Sequence, residues 1–136
     1  MRRMSVSLCR TITLAMVFAL GASGCAIMDS FQDPQQRVTK RAQQHLDALM
    51  AGDMEKAFSF LSPAFRETTT WQRYSTKYAG VANWREATVE RVDCEIDRCD
   101  VAVAIRYVLV RPKVENTRFI DEVWIEVGGQ WYIYAR

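Results

Sequence analysis

One histidine, four cysteines and a few acids are the residues through which this 136-residue chain could do chemistry. Cys94 and Cys99 enclose the polar stretch Glu95-Ile96-Asp97-Arg98 between two β-like runs. That is the form of a hairpin, and a hairpin base brings paired cysteines within bridging reach. Closing so small a loop is worth roughly 2–3 kcal/mol. A redox pair ordinarily has two residues between its cysteines at a helix start, and a zinc site would need two further ligands where His45 is the sole histidine. A Cys94–Cys99 disulfide is therefore expected, with no metal site and no cofactor. Asp121 is the one candidate catalytic acid. By alternation it shares a strand face with Phe119, Val123 and Ile125, and a carboxyl on an apolar face has a raised pKa and can act as a base. The favoured reading is a solvated acid or a partner of Arg106 or Arg118, so no catalytic residue is expected and Asp121 is only a weak candidate. Arg118, Glu122 and Glu126 alternate on the opposite face and read as a solvated or ion-paired stripe. His45 falls on a helical stretch and reads as a packed or surface residue. No serine or cysteine nucleophile stands near a base in any motif.

The elements that must position these residues fall into two halves. Asp33-Pro34-Gln35-Gln36 has the pattern of a helix start, with Asp33 as cap and Gln36 completing a capping box. Val38, Ala42, Leu46, Leu49 and Met50 follow at helical spacing. Gly52 stops that helix, and Asp53 caps a second one carrying Ala57, Phe58 and Leu61. Ser62-Pro63 breaks it and begins another turn through Phe65 and Arg66. Thr70 caps a third helix with Trp71, Tyr74 and Tyr78. From Thr88 the period changes to two. Val89 and Val92 mark a first strand, imperfectly in register. Cys99 to Val110 is a long strand with Val101, Val103, Ile105, Tyr107 and Leu109 on one face. Arg118 to Val127 has Phe119, Val123, Ile125 and Val127 on one face, Gly128-Gly129 is a hairpin turn, and Gln130 to Arg136 is the last strand. Segregated elements of this kind indicate an α+β fold: three N-terminal helices packed on a curved antiparallel sheet of about four strands.

Composition supports one globular domain, with 49% hydrophobic and 25% charged residues. The first ten residues carry three arginines and no acid, Thr11 to Leu20 is apolar, and Gly21-Ala22-Ser23-Gly24 are small, the makeup of a secretory leader over residues 1–24. The apolar run is too short to span a bilayer, which takes roughly 20 residues. Without Arg2, Arg3 and Arg10, 15 basic residues face 16 acids. That near-neutral balance gives no electrostatic reason to expect nucleic acid.

Two resemblances extend this reading. Leu20-Gly21-Ala22-Ser23-Gly24-Cys25-Ala26 resembles the lipobox of bacterial lipoproteins, departing from it where Ala22 stands for the usual Leu. The resemblance implies lipid attachment at Cys25 and residues 25–33 as a lipidated tether. Met4-Ser5-Val6 after Arg2-Arg3 does not resemble the twin-arginine export motif, so export by the general secretory route is expected. Ala26, where Asp would retain an enterobacterial-type lipoprotein in the inner membrane, points to the periplasmic face of the outer membrane, with the inner membrane as alternative. Leu49-Met50-Ala51-Gly52-Asp53-Met54-Glu55-Lys56-Ala57-Phe58, Ser62-Pro63 and the ending Gly128-Gly129-Gln130-Trp131-Tyr132-Ile133 look like corners of the nuclear-transport-factor-2-like superfamily, over about residues 34–136. That resemblance implies a single cone domain, often with an apolar pocket. Enzymes of the superfamily place a Tyr or a His–Asp pair in the cone, and the first helix here has no tyrosine. The expectation is a non-enzymatic lipoprotein, attached to the membrane by its lipid, that binds an envelope protein or an apolar small molecule. The alternatives are a small isomerase- or dehydratase-like enzyme using Asp121, and a subunit of an envelope assembly or secretion complex.

Overall fold

The computed structural model describes residues 33–135. The expected leader, Cys25 and all but the last residue of the tether lie outside the described residues. Helix α1 runs Pro34–Met50, with proline in its first turn where the missing N–H is harmless. Val38, Ala42, Leu46 and Leu49 are fully buried along its apolar face, as their spacing requires. The expected capping box does not form: Asp33 makes no side-chain cap bond, and Gln35 donates to the Val92 carbonyl on the sheet. Gly52, at φ 74°, reverses the chain after α1. Helix α2, Met54–Ser59, is capped by Asp53, whose Oδ1 accepts from the Lys56 amide at 3.0 Å. The turn after Ser62-Pro63 is a helix in its own right, α3, Pro63–Thr68. Thr70 then caps α4, Trp71–Ser75, and a 3-10 turn continues through Tyr78.

Four strands follow as an antiparallel meander in chain order: β1 Trp84–Cys94, β2 Arg98–Leu109, β3 Val114–Val127 and β4 Gln130–Ile133. The sheet begins four residues earlier than the alternation suggested. The imperfect register of the first strand is a β-bulge: Val89 faces Val103 and Val92 faces Val101, so the β1 side has one residue more than β2 between the two pairs. Val101, Val103 and Ile105 point inward onto α1. Gly128 and Gly129, at φ 60° and 80°, make the left-handed pair that a two-residue hairpin needs. β4 pairs with β3 only over Trp124–Val127. Its other side makes a short parallel bridge, with Leu61 opposite Ile133.

The face assigned to β3 is reversed. Cross-strand partners share a face, and Cys99, Val101 and Val103 stand opposite Trp124, Glu122 and Ile120. Trp124 is wholly buried. Phe119, expected inside, is 69% exposed. Side chains on the outer face outnumber the inner ones in β-branched character, but volume decides: one buried Trp outweighs several valines.

Candidate functional site

The reversal carries Glu122 into the core and Asp121 out of it. Asp121 stands opposite Ala102 on the exposed face, so the weak candidate for a catalytic base is a solvated acid, the reading its sequence context favoured. Glu122 belongs to no solvated stripe; its side chain is 11% exposed. Glu126, the next residue on that face, does pair, with Arg37 of α1 at 3.7 Å. Cys94 and Cys99 stand directly opposite each other across the β1–β2 hairpin and form the expected disulfide.

His45 comes into the same space from the other side. It sits one position before Leu46 on the apolar face of α1 and is wholly buried. Its Nε2 lies 2.9 Å from the Tyr74 hydroxyl, supplied by α4. Its Nδ1 lies 3.7 Å from Glu122 Oε1, too far for a hydrogen bond, and has no other partner among the described residues. A buried nitrogen left so costs about 1–3 kcal/mol. Trp124 Nε1 donates to the other carboxylate oxygen, Oε2, at 3.0 Å. Tyr78 packs on Tyr74 with ring centroids 4.9 Å apart. Phe60, Tyr78 and Trp124 surround the imidazole at 5.8, 6.4 and 6.5 Å. Two tyrosines, a histidine and a carboxyl thus form one polar chain inside an aromatic cage.

Burial governs its electrostatics. Taking the imidazole out of water disfavours its cation and pushes His45 down to about 4. The same cause pushes the Glu122 carboxyl up to about 7, against a smaller opposing effect from the Trp124 N–H. Both phenols are raised, chiefly by burial. Glu122 therefore changes charge near neutral pH while His45 stays neutral, which couples the carboxyl to the imidazole tautomer. An ionised Glu122 draws the proton to Nδ1, leaving Nε2 to accept from the Tyr74 hydroxyl. A protonated Glu122 favours Nε2–H, with the Tyr74 oxygen accepting. Chemically the cluster can hold a proton at Glu122, whose charge acts on the imidazole across 3.7 Å without a hydrogen bond.

Sequence reasoning left His45 as a packed or surface residue; the structure buries it, with partners that the sequence reading missed. One signal was present: Trp124, the largest side chain on β3, marks the inner face, and Glu122 shares it. The 29-residue separation between His45 and Tyr74 carries no local signal. Among the described residues no group of three or more His, Cys, Asp or Glu could hold a metal ion.

No protein-family model matches this sequence, and no curated protein does. Solved structures do share its fold. RPA3114 from Rhodopseudomonas palustris, a protein containing a SEC-C motif, superposes with a TM-score of 0.57 at 14% identity, over 70% of this chain and 73% of that one. A variant of the protein Rd1NTF2_05 gives 0.52 at 15% identity, over 72% and 90%. An NTF2-like protein of unknown function from Burkholderia pseudomallei gives 0.47 at 11%, over 70% and 86%. The first two carry the comparison, and identities this low speak to fold alone. The domain is an α+β structure with helices on a four-stranded antiparallel sheet, and its fold is nuclear-transport-factor-2-like.

Proposed function

We propose that the chain is a bacterial envelope lipoprotein, anchored through a lipid on Cys25 to the periplasmic face of the outer membrane, whose domain binds rather than catalyses. The observation that supports this most is the closure of the polar chain: His45 is 0% and Tyr74 4% exposed, under a cage of aromatic rings. A general base must come within hydrogen-bond reach of its substrate, directly or through one water. Residues packed this way hold the helices against the sheet. Binding needs surface shape and a position at the membrane, and a lipid on Cys25, exposed when the leader over residues 1–24 is removed, supplies the position.

The experiment has two arms. Cells expressing the wild type or Cys25→Ser are labelled with radioactive palmitate and fractionated. Wild type takes up label and sediments with membranes, and the variant does neither; equal labelling of both ends the lipoprotein reading. In the second arm, His45→Gln and Glu122→Gln are placed in a strain whose deletion phenotype has been scored. Folded, correctly localised variants complement the deletion under a binding role.

One observation favours a second reading, a small acid–base enzyme. A carboxyl held near neutral pH beside an imidazole with an unpaired nitrogen is a general acid–base arrangement. In that case Glu122→Gln abolishes complementation while leaving fold and localisation intact.

A further inference from the structure

Outside the buried chain, α1, α3 and β4 converge on the ring of Tyr132. Arg41 of α1 places its guanidinium carbon 5.4 Å from the centroid of that ring and 5.1 Å from that of Phe60. Arg66 of α3 places its own 6.0 Å from the Tyr132 centroid. Two cations therefore share one aromatic ring. Both are partly buried, and neither makes an ion pair among the described residues. The carboxylate available on that edge, Glu126, pairs instead with a third guanidinium, Arg37, which also donates to the Gly129 carbonyl at 2.6 Å.

The two side chains are held differently. Arg41 is fixed by its Nε, which donates to the Trp131 carbonyl at 2.6 Å, leaving its terminal nitrogens to point elsewhere. Arg66 has a buried Nε with no hydrogen bond among the described residues. Guanidinium groups out of water are normally matched by an anion, because an unmatched buried cation and an unmade charged hydrogen bond are both costly. A ring face attracts cations by about 0.5–2 kcal/mol and offers no acceptor for their N–H groups. Burial and the charge of Arg37 push the Arg41 guanidinium down, with Tyr132 acting the other way. Among the described residues Arg37 takes the carboxylate of Glu126, while Arg41 and Arg66 have no ion pair and Arg66 Nε is an orphaned donor. A planar fork of N–H donors matches a phosphate or carboxylate group.

We propose that Arg41 and Arg66, set around Tyr132 where α1, α3 and β4 meet, form a binding site for an oxyanion group, a phosphate or carboxylate, carried by a small soluble ligand or by a lipid headgroup. The site adjoins the buried His45 chain, with which it shares the Phe60 ring, and does not depend on the anchor at Cys25.

The test follows the arginine Nε–H resonances of the full chain, labelled with nitrogen-15, in a neutral detergent. Inorganic phosphate and acetate are titrated against chloride at constant ionic strength. The Arg41 and Arg66 resonances should move saturably with phosphate or acetate, and Arg66→Gln or Arg41→Gln should weaken the apparent affinity by about tenfold or more. Arg73→Gln on α4 should leave it unchanged. Arg66→Lys, which keeps the charge and loses the fork, reports on the site should the Gln variant not fold, and should bind more weakly than wild type. A second arm places the chain in phosphatidylcholine nanodiscs with and without phosphatidylglycerol. A saturable response to phosphate or acetate identifies a soluble ligand; a response to phosphatidylglycerol alone identifies a headgroup. Resonances that move no further with any of these than with chloride, or an affinity untouched by both the Gln and the Lys change at Arg66, overturn the proposal.

Discussion

Glu122→Gln tests the buried chain most directly, because the two titrating groups of that chain mask each other in the native protein. In the fold Glu122 titrates near 7 instead of 4.5, and His45 near 4 instead of 6.5. Below 4.5 Glu122 is protonated whether the chain is folded or not and has no effect. As pH rises through 7 the unfolded state ionises first, and stability is lost. At 1.36 kcal/mol per pH unit the loss reaches about 3 kcal/mol. His45 works in the opposite sense. Above 6.5 it is neutral in both states, and as pH falls toward 4 the unfolded state takes up the proton first, again losing about 3 kcal/mol. Between 4.5 and 6.5 the two slopes oppose each other, so the pair contributes little net pH dependence. Glutamine keeps the size of the side chain and an acceptor for Trp124 while removing the titration. Urea unfolding, followed by tryptophan fluorescence between about pH 4 and pH 8, gives the stability of variant minus wild type at each pH. That difference should climb by about 3 kcal/mol in favour of the variant between 4.5 and 7 and then level off. A difference that stays flat to within about 0.5 kcal/mol would refute the buried-carboxyl argument.

Three further expectations follow from the same packing. Trp124→Phe removes the N–H from Glu122 Oε2, so the carboxyl should titrate above 7, read by carbon-13 NMR of the side chain, and stability should fall by about 1–3 kcal/mol. Replacing Cys94 and Cys99 together by Ser should lower unfolding stability by about 2 kcal/mol for so short a loop while leaving the circular dichroism of the fold intact. Asp121→Asn should change stability by less than about 0.5 kcal/mol, whereas Leu46→Ala, beneath the sheet, should cost about 2–5 kcal/mol, both read from denaturant midpoints.

Much of the fold was legible because its signals are local. The spacing of Val38, Ala42, Leu46 and Leu49 defines the buried face of α1, Asp53 and Thr70 announce helix starts, and Gly128-Gly129 can hardly be anything but a tight hairpin. The cysteine pair is legible for the same reason, since a short hairpin brings its two ends together. The capping box at Asp33 does not form, and the first turn of α1 is tied to the sheet instead by Gln35, which donates to the Val92 carbonyl. The face of β3 was not legible. Both of its faces carry apolar side chains, so a count of valines and isoleucines on Phe119, Val123, Ile125 and Val127 has no preferred phase, and register with β2 makes the choice. That single error moved the candidate acid by one residue, from Glu122 to Asp121. The Tyr74–His45 contact and the Tyr132 arginines join distant segments, and no periodicity reports such meetings.

The brevity of β4 has a consequence for the protein among its own copies. Four residues of β4 cover only the end of a fourteen-residue β3, and among the described residues no strand pairs with the remaining length on the side away from β2. Backbone donors and acceptors along such a margin can template another strand, and the open stretch includes Phe119, exposed and strongly β-forming. What interrupts it is charge. Glu115, Arg118 and Asp121 recur along the margin, so an added strand would have to desolvate or mismatch ions every few residues. Asp121, exposed on that margin, is one of the charges that an added strand would have to meet.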